Sequence, residues 1–248
     1  QDRASREFTP NYPGVRIMIL CLDIGNTDIH GGLYDGDRHI LEFRKSNQLH
    51  PSADEFGVFV IQLLKAHGIQ PASVREIAIA SVVPDCNDPV IEACNRYLER
   101  SPLLLQAGVR TSLKIRTRNP NEVGADRIAN AIAAVHQFPG QDLVIVDLGT
   151  ATTFCVVNRK REYLGGGISA GMGLSMRALA RGTAKLPNVD ITKPASTVGK
   201  TTVESIQNGL FYGHLGMMRE VLQNISSEVF HGERPLVLGT GGHARYFQ

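Results

Sequence analysis

No apolar run in this sequence reaches the roughly 18 residues that a membrane-spanning helix needs, so no transmembrane helix is expected. An excess of charge of one sign is missing too. Twenty-six Lys and Arg stand against 24 Asp and Glu, and a net charge of +2 gives no support to nucleic-acid or membrane binding. Cysteine is scarce: Cys21, Cys86, Cys94 and Cys155 form no C-x-x-C pair, and two of them fall in expected strands. That pattern favours reduced, buried thiols in a cytoplasmic chain over disulfides or zinc. Two familiar nucleotide signatures are absent. Val198–Thr202 (VGKTT) ends like a P-loop, but the glycine required at 194 is Pro194. No G-x-G-x-x-G opens a helix after the first strand, which argues against a dinucleotide fold. Residues 1–17 are polar and lack the apolar stretch of a signal peptide. Met18 opens the first strand, so 1–17 reads as a tag or a disordered arm. The rest, 42% hydrophobic and 20% charged overall, suits one or two globular domains with a sizeable core.

The most informative stretch is Leu143–Val157, LVIVDLGTATTFCVV. An apolar run delivers Asp147 to a strand end, Gly149 and Thr150 turn the chain, and Thr152–Val157 leaves as a β-branched strand. Such a turn offers backbone N–H groups and hydroxyls for phosphate oxygens, with one carboxylate at the rim for a cation. A buried hairpin whose polar residues only satisfy the turn is the competing reading. Leu20–Tyr34, LCLDIGNTDIHGGLY, repeats the layout with Asp23, Gly25 and Thr27. Two such turns, one early in each half, predict two similar half-domains facing each other across a cleft, each cradling one end of a phosphate chain.

Between them the pattern alternates. A capping box at Ser52–Glu55 opens a helix carried by Phe56, Phe59, Val60, Leu63 and Leu64 and stopped by Gly68. Glu76–Val83 reads as a buried strand, Asp88–Arg100 as a helix, and Leu103–Leu105 and Leu113–Arg116 as short strands. This is α/β. In NPNEVGADRIANAIAAV (Asn119–Val135), Gly124 permits close passage, and Asp126 and Arg127 fall in the first turn of a helix. Asp126 there is either a capping acid favoured by the helix dipole or a catalytic acid or base beside an anion clamp. Arg161–Leu164 is expected as an edge strand, and the glycines at 165–167 as either a phosphate-binding approach to a helix or a tight interdomain bend. Thr202–Ile225 is the longest expected helix, with Gly209, Gly213 and Gly216 predicting close packing on a neighbour. Pro235–Leu238 is the last strand. The turn after it, GTGGHA (Gly239–Ala244), either admits an adenine or ribose or is simply tight.

Five segments in this order carry a resemblance: DIGNT (Asp23–Thr27), NPNEVGADR (Asn119–Arg127), DLGTATT (Asp147–Thr153), RGTAKLP (Arg181–Pro187) and VGKTT (Val198–Thr202). From Met18 onward the chain resembles the type III pantothenate kinases, a branch of the acetate/sugar kinase, Hsp70 and actin superfamily. The resemblance implies two duplicated actin-like (ribonuclease H-like) domains, 18–139 and 140–248, with a nucleotide cleft between them and the second truncated at its end. It implies ATP-dependent phosphorylation of pantothenate to 4'-phosphopantothenate, the first step of coenzyme A biosynthesis, with Mg²⁺, a monovalent cation (K⁺ or NH₄⁺) and a homodimer.

Carried over by position, Asp126 matches the general base, with Gly124, Ala125 and Arg127 beside it in the pantothenate site. Asp23, Ile24, Gly25, Asn26, Thr27, Asp28, Ile29 and His30 match the first ATP loop, Asp23 lying nearest Mg²⁺ through phosphates or water. Thr150 matches an ATP contact and Asp147 the K⁺ ligand. Thr202 matches a threonine that reaches pantothenate from the partner subunit. Two departures stand out. Ala170 replaces the family's usual proline, and the family normally continues about one strand and helix beyond its TGG turn, whereas this sequence stops at Gln248. Two other functions compete: a kinase or phosphohydrolase of another small hydroxy substrate in the superfamily, and a non-catalytic regulatory accessory factor, as relatives were first described. All three expected aspartates are present, which weighs against the last.

Overall fold

The computed structural model describes residues 17–106 and 108–247. Residues 1–16, nearly all of the segment read as a tag or arm, lie outside them. The chain divides into two compact units, up to Leu105 and from Gln106 on.

The first unit contains β1 (Met18–Ile24), β2 (Asp28–Asp35), β3 (Arg38–Ser46), α1 (Ala53–Ala66), β4 (Val74–Ser81), α2 (Asn87–Tyr97) and β5 (Leu103–Leu105). Its five-stranded sheet has the order β3-β2-β1-β4-β5. β1 alternates buried and more exposed positions, as a strand with one strongly apolar face should. Leu20, Leu22, Ile24, Ile29 and Leu33 meet Phe56, Val60 and Leu64 of α1 and Val90 and Cys94 of α2 in one core. Fully burying an aliphatic side chain of this kind is worth about 2 kcal/mol. The expected capping box is formed: Ser52 Oγ accepts from Glu55 N–H, and Glu55 Oε2 accepts from Ser52 N–H at 2.8 Å.

The second unit contains β6 (Lys114–Ile115), α3 (Ala125–Gln137), β7 (Leu143–Leu148), β8 (Ala151–Val157), β9 (Glu162–Ala170), α4 (Met172–Gly182), α5 (Thr202–Val229) and β10 (Leu236–Thr240). Its sheet has the order β10-β7-β8-β9-β6. β7 reads as an unbroken apolar run because both its faces are covered. Val144, Val146 and Leu148 pack with Met218 of α5 on one side. Asp147 and Ile145, across from Thr153 and Cys155, share the other side with α3.

The duplication is visible in the strand pairing. β1, β2 and β3 form an antiparallel meander with β4 parallel to β1. β7, β8 and β9 repeat it, with β10 parallel to β7. The expected duplicated α/β architecture is therefore present, with a D-x-G turn joining the first two strands of each meander.

Three local readings change. The expected edge strand at Arg161–Leu164 runs on through the glycines as β9 to Ala170, and at its start it lies between β8 and β6. A side chain at Gly166 would overlap the Phe154 carbonyl, so this glycine serves close strand pairing, and all three lie within β9. Among the described residues, no atom comes close enough to Gly209, Gly213 or Gly216 of α5 to need their missing side chains. Third, α3, which the pattern assigned to the first half, packs on β7 and β8.

Candidate active site

The first turn closes where Gly25 N–H donates to Asp28 O at 3.0 Å. Asp23 is exposed at the end of β1, Asn26 and Thr27 are exposed on the turn, and Asp28 opens β2. Ile24 and Ile29 are core residues with no exposed surface, and the Ile24 carbonyl accepts from Val82 N–H at 3.0 Å, so their part is to anchor the turn. The His30 ring donates from Nε2 to Glu42 Oε1 at 2.7 Å on the neighbouring strand.

The second turn is built alike, with Gly149 N–H donating to Ala151 O at 3.1 Å. Two glycines fit against it. Gly171, the N-cap of α4, donates its N–H to Thr150 O at 3.1 Å, and a Cβ there would overlap the Gly149 and Thr150 carbonyls. Gly241, at φ +87°, lies where a Cβ would overlap Asp147 and Leu148. His243 N–H then donates to Leu148 O at 3.0 Å. The TGG turn is thus a tight brace for Asp147. Thr150 itself stays exposed.

Asp147 is largely buried, and desolvation pushes its carboxyl above the ordinary aspartate range. Asn130 of α3 opposes this by donating Nδ2–H to Asp147 Oδ2 at 2.9 Å, while the negative charge of Asp126 raises it further. Asp126 and Asn130 are four residues apart and so share one face of α3. The Asp126 carboxylate accepts the otherwise unpaired Arg127 N–H through Oδ1 at 2.8 Å, so the capping role is real. It uses one oxygen.

Arg127 is seated against the sheet. Its Nε donates to Cys155 Sγ at 3.3 Å, its Nη2 donates to Phe154 O at 3.0 Å, and its guanidinium lies 5.8 Å from the Tyr163 ring centroid. Gly124 caps α3 with extended backbone and no side-chain bond, and Ala125 is buried beneath the first turn. These contacts bring Asp126, Arg127 and Asp147 together. Thr202 is placed elsewhere. It begins α5, with Thr201 capping the helix by accepting from Glu204 N–H at 3.2 Å, and among the described residues no hydrogen bond joins it to Asp126 or Arg127. Glu204 Oε2 in turn accepts from Lys200 N–H at 2.6 Å, so VGKTT is a helix start.

The donor set suits a hard cation. Asp147 and Thr153 sit directly across β7 and β8 on one face, and the Thr153 hydroxyl is buried with no hydrogen-bond partner among the described residues. Carboxylate and hydroxyl oxygens of this kind fit K⁺ or Mg²⁺ better than zinc. Each D-x-G turn, taken by itself, has an exposed tip and backbone N–H groups of the kind that can receive an anion.

Sequence reasoning missed two side chains. Asn130 lies inside a segment read only for its helix. Asn47 lies between β3 and α1 with no exposed surface, donating Nδ2–H to Gly25 O at 2.7 Å. A lone asparagine carries no spacing signal, so neither was legible.

Comparison with known proteins agrees on one family. The model for type III pantothenate kinases matches residues 19–224. A type III pantothenate kinase of Legionella pneumophila (strain Corby) is 51% identical over 230 residues, covering 93% of this chain and 90% of the relative. One from Elusimicrobium minutum is 42% identical over 231 residues with the same coverage. Among solved structures, a Campylobacter jejuni protein described as a Baf family transcriptional activator aligns with TM-score 0.53 at 18% identity, covering 92% of this chain and 85% of that one. At that identity it supports the fold alone.

Proposed function

We propose a division of catalytic labour from one premise: this chain belongs to the type III pantothenate kinase family. It uses ATP to phosphorylate the primary hydroxyl of pantothenate, giving 4'-phosphopantothenate at the entry to coenzyme A synthesis. The observation that carries the assignment of roles is the Asp126–Asp147 neighbourhood, with Arg127 seated beside it.

In this reading Asp126 is the general base. Its second oxygen receives the hydroxyl proton as the pantothenate oxygen bonds to the γ-phosphorus and the bond to the ADP oxygen breaks. A carboxylate suffices, because the transition state is loose and the proton leaves late. Gly124 and Ala125 let the substrate approach the helix start. Arg127 recognises the pantothenate carboxylate or the moving phosphoryl oxygens. With Nε and one Nη2 hydrogen already committed, it does so through its free terminal edge.

The turn at Asp23–His30 binds ATP phosphates through its backbone, with Asp23 on the Mg²⁺ side through phosphates or water. Thr150 contacts ATP from the second turn. Asp147, with Thr153 opposite, holds K⁺ or NH₄⁺, which supplies the positive charge that a lysine supplies in P-loop enzymes. We place the enzyme in the cytoplasm, where its four free thiols remain reduced. It acts as a homodimer in which Thr202 completes the partner's pantothenate site. Support for the dimer comes from a groove of about 880 Å³ between α4 and α5, lined by Leu174, Leu179, Thr202, Gly209 and Gly213. No helix of the described residues is long and apolar enough to cross a membrane.

The test is ADP release from Mg-ATP with and without pantothenate and K⁺, on wild type and Asp126→Asn. Pantothenate-dependent, K⁺-dependent turnover that collapses in the variant supports the reading. Turnover indifferent to pantothenate overturns it.

A further inference from the structure

We infer that Asn47 is a positioning residue for nucleotide binding, holding the first phosphate turn in its donor-outward form. The proposal rests on the ATP-loop reading above. Asn47 has no exposed surface, yet its backbone and side chain are both hydrogen-bonded, the backbone carbonyl accepting from His50 N–H at 3.3 Å. Its backbone N–H donates to Thr27 O at 2.8 Å, and its Nδ2 donates to Gly25 O at 2.7 Å. Its Oδ1 accepts the thiol of Cys86, itself fully buried, at 3.2 Å.

The consequence follows from peptide geometry. In a trans peptide the C=O and the next N–H point in opposite directions, and no peptide bond among the described residues is cis. Drawing the Gly25 carbonyl inward to Asn47 therefore turns the Asn26 N–H outward, to the exposed side of the turn. That is the orientation a phosphate oxygen needs. An inward-flipped peptide would present a carbonyl there and repel an anion. The Cys86 thiol fixes which end of the amide faces Gly25, because a thiol donating to Oδ1 leaves Nδ2 for the carbonyl. A buried asparagine is costly to place unless its polar atoms are bonded, and both Nδ2 and Oδ1 have partners here.

The experiment measures the dissociation constant for Mg-ADP by calorimetry, and KM for ATP and for pantothenate, on wild type, Asn47→Ala and Cys86→Ala. Asn47→Ala is expected to weaken Mg-ADP binding and raise KM for ATP about tenfold, the worth of one buried hydrogen bond, with KM for pantothenate unchanged. Cys86→Ala, which leaves the donor but frees the amide, is expected to shift nucleotide binding the same way by about threefold. A lowered melting temperature with unchanged Mg-ADP affinity, or an equal loss for both substrates, overturns the inference. If Asn47→Ala does not fold, an unaltered affinity in Cys86→Ala overturns it. Wild type without pantothenate-dependent turnover, but with Mg-ADP binding weakened in Asn47→Ala, removes the functional reading and leaves Asn47's role standing.

Discussion

Asn130 donates its side-chain amide to Asp147 at 2.9 Å and so ties the carboxylate of the second turn to the helix that begins with Asp126 and Arg127. One turn of α3 thus joins the proposed base to the proposed cation ligand. Both carboxylates are held on a scaffold of helix and strand, which fixes their separation more tightly than loops would.

Asp147 is expected to cost the metal-free protein stability at neutral pH. Burial raises its folded pKa above the unfolded value, so the folded state binds the proton more tightly. Stability is then lost as pH rises from the unfolded pKa through the folded one, and stays lower above it. In K⁺-free buffer at pH 7, Asp147→Asn should melt higher than wild type, and the gap should close below the ordinary carboxylate range. Added K⁺ should raise the melting temperature of wild type only. A variant that melts lower at every pH would contradict this.

Asp126→Asn should keep the fold, since the amide oxygen can still accept the Arg127 N–H. Pantothenate-dependent ADP release should fall by about 100-fold or more, the usual contribution of a positioned base. Single-turnover kinetics with unchanged pantothenate affinity would place the loss in the chemical step.

Cys155 should matter through Arg127. Cys155→Ala removes the acceptor for Nε and lets the guanidinium drift along the sheet. KM for pantothenate is expected to rise several-fold, on the order of the ~1 kcal/mol of one hydrogen bond, with KM for ATP unchanged. Equal effects on both constants would show that the seat serves the fold alone.

Gly171→Ala forces a methyl group into the carbonyls of Gly149 and Thr150. Backbone cannot yield as a flexible side chain can, so about 1–3 kcal/mol of destabilisation is expected. Urea unfolding measures it, and weakened Mg-ADP binding should accompany it. Gly182→Ala, at the end of α4 where a Cβ meets nothing within 4 Å, is the control: it should not lower stability and should leave Mg-ADP binding unchanged.

The sequence by itself determined the α/β class, both D-x-G turns and the helix start at Asp126–Arg127, because each is written in local period and turn chemistry. The capping box at Ser52–Glu55 was legible for the same reason: its partners are three residues apart. Only tertiary structure decided what surrounds those elements. That Asn47 reaches back to Gly25, that Asn130 meets Asp147, and that Arg127 rests on Cys155 are contacts across 22, 17 and 28 residues. No periodicity encodes such pairs. The glycines of β9 misled for a related reason. A glycine run reads as a bend when seen alone, but Gly166 is required by the Phe154 carbonyl beside it on the paired strand. The order of residues sets which turns can form, while packing sets which side chains hold them in a form that can bind phosphate.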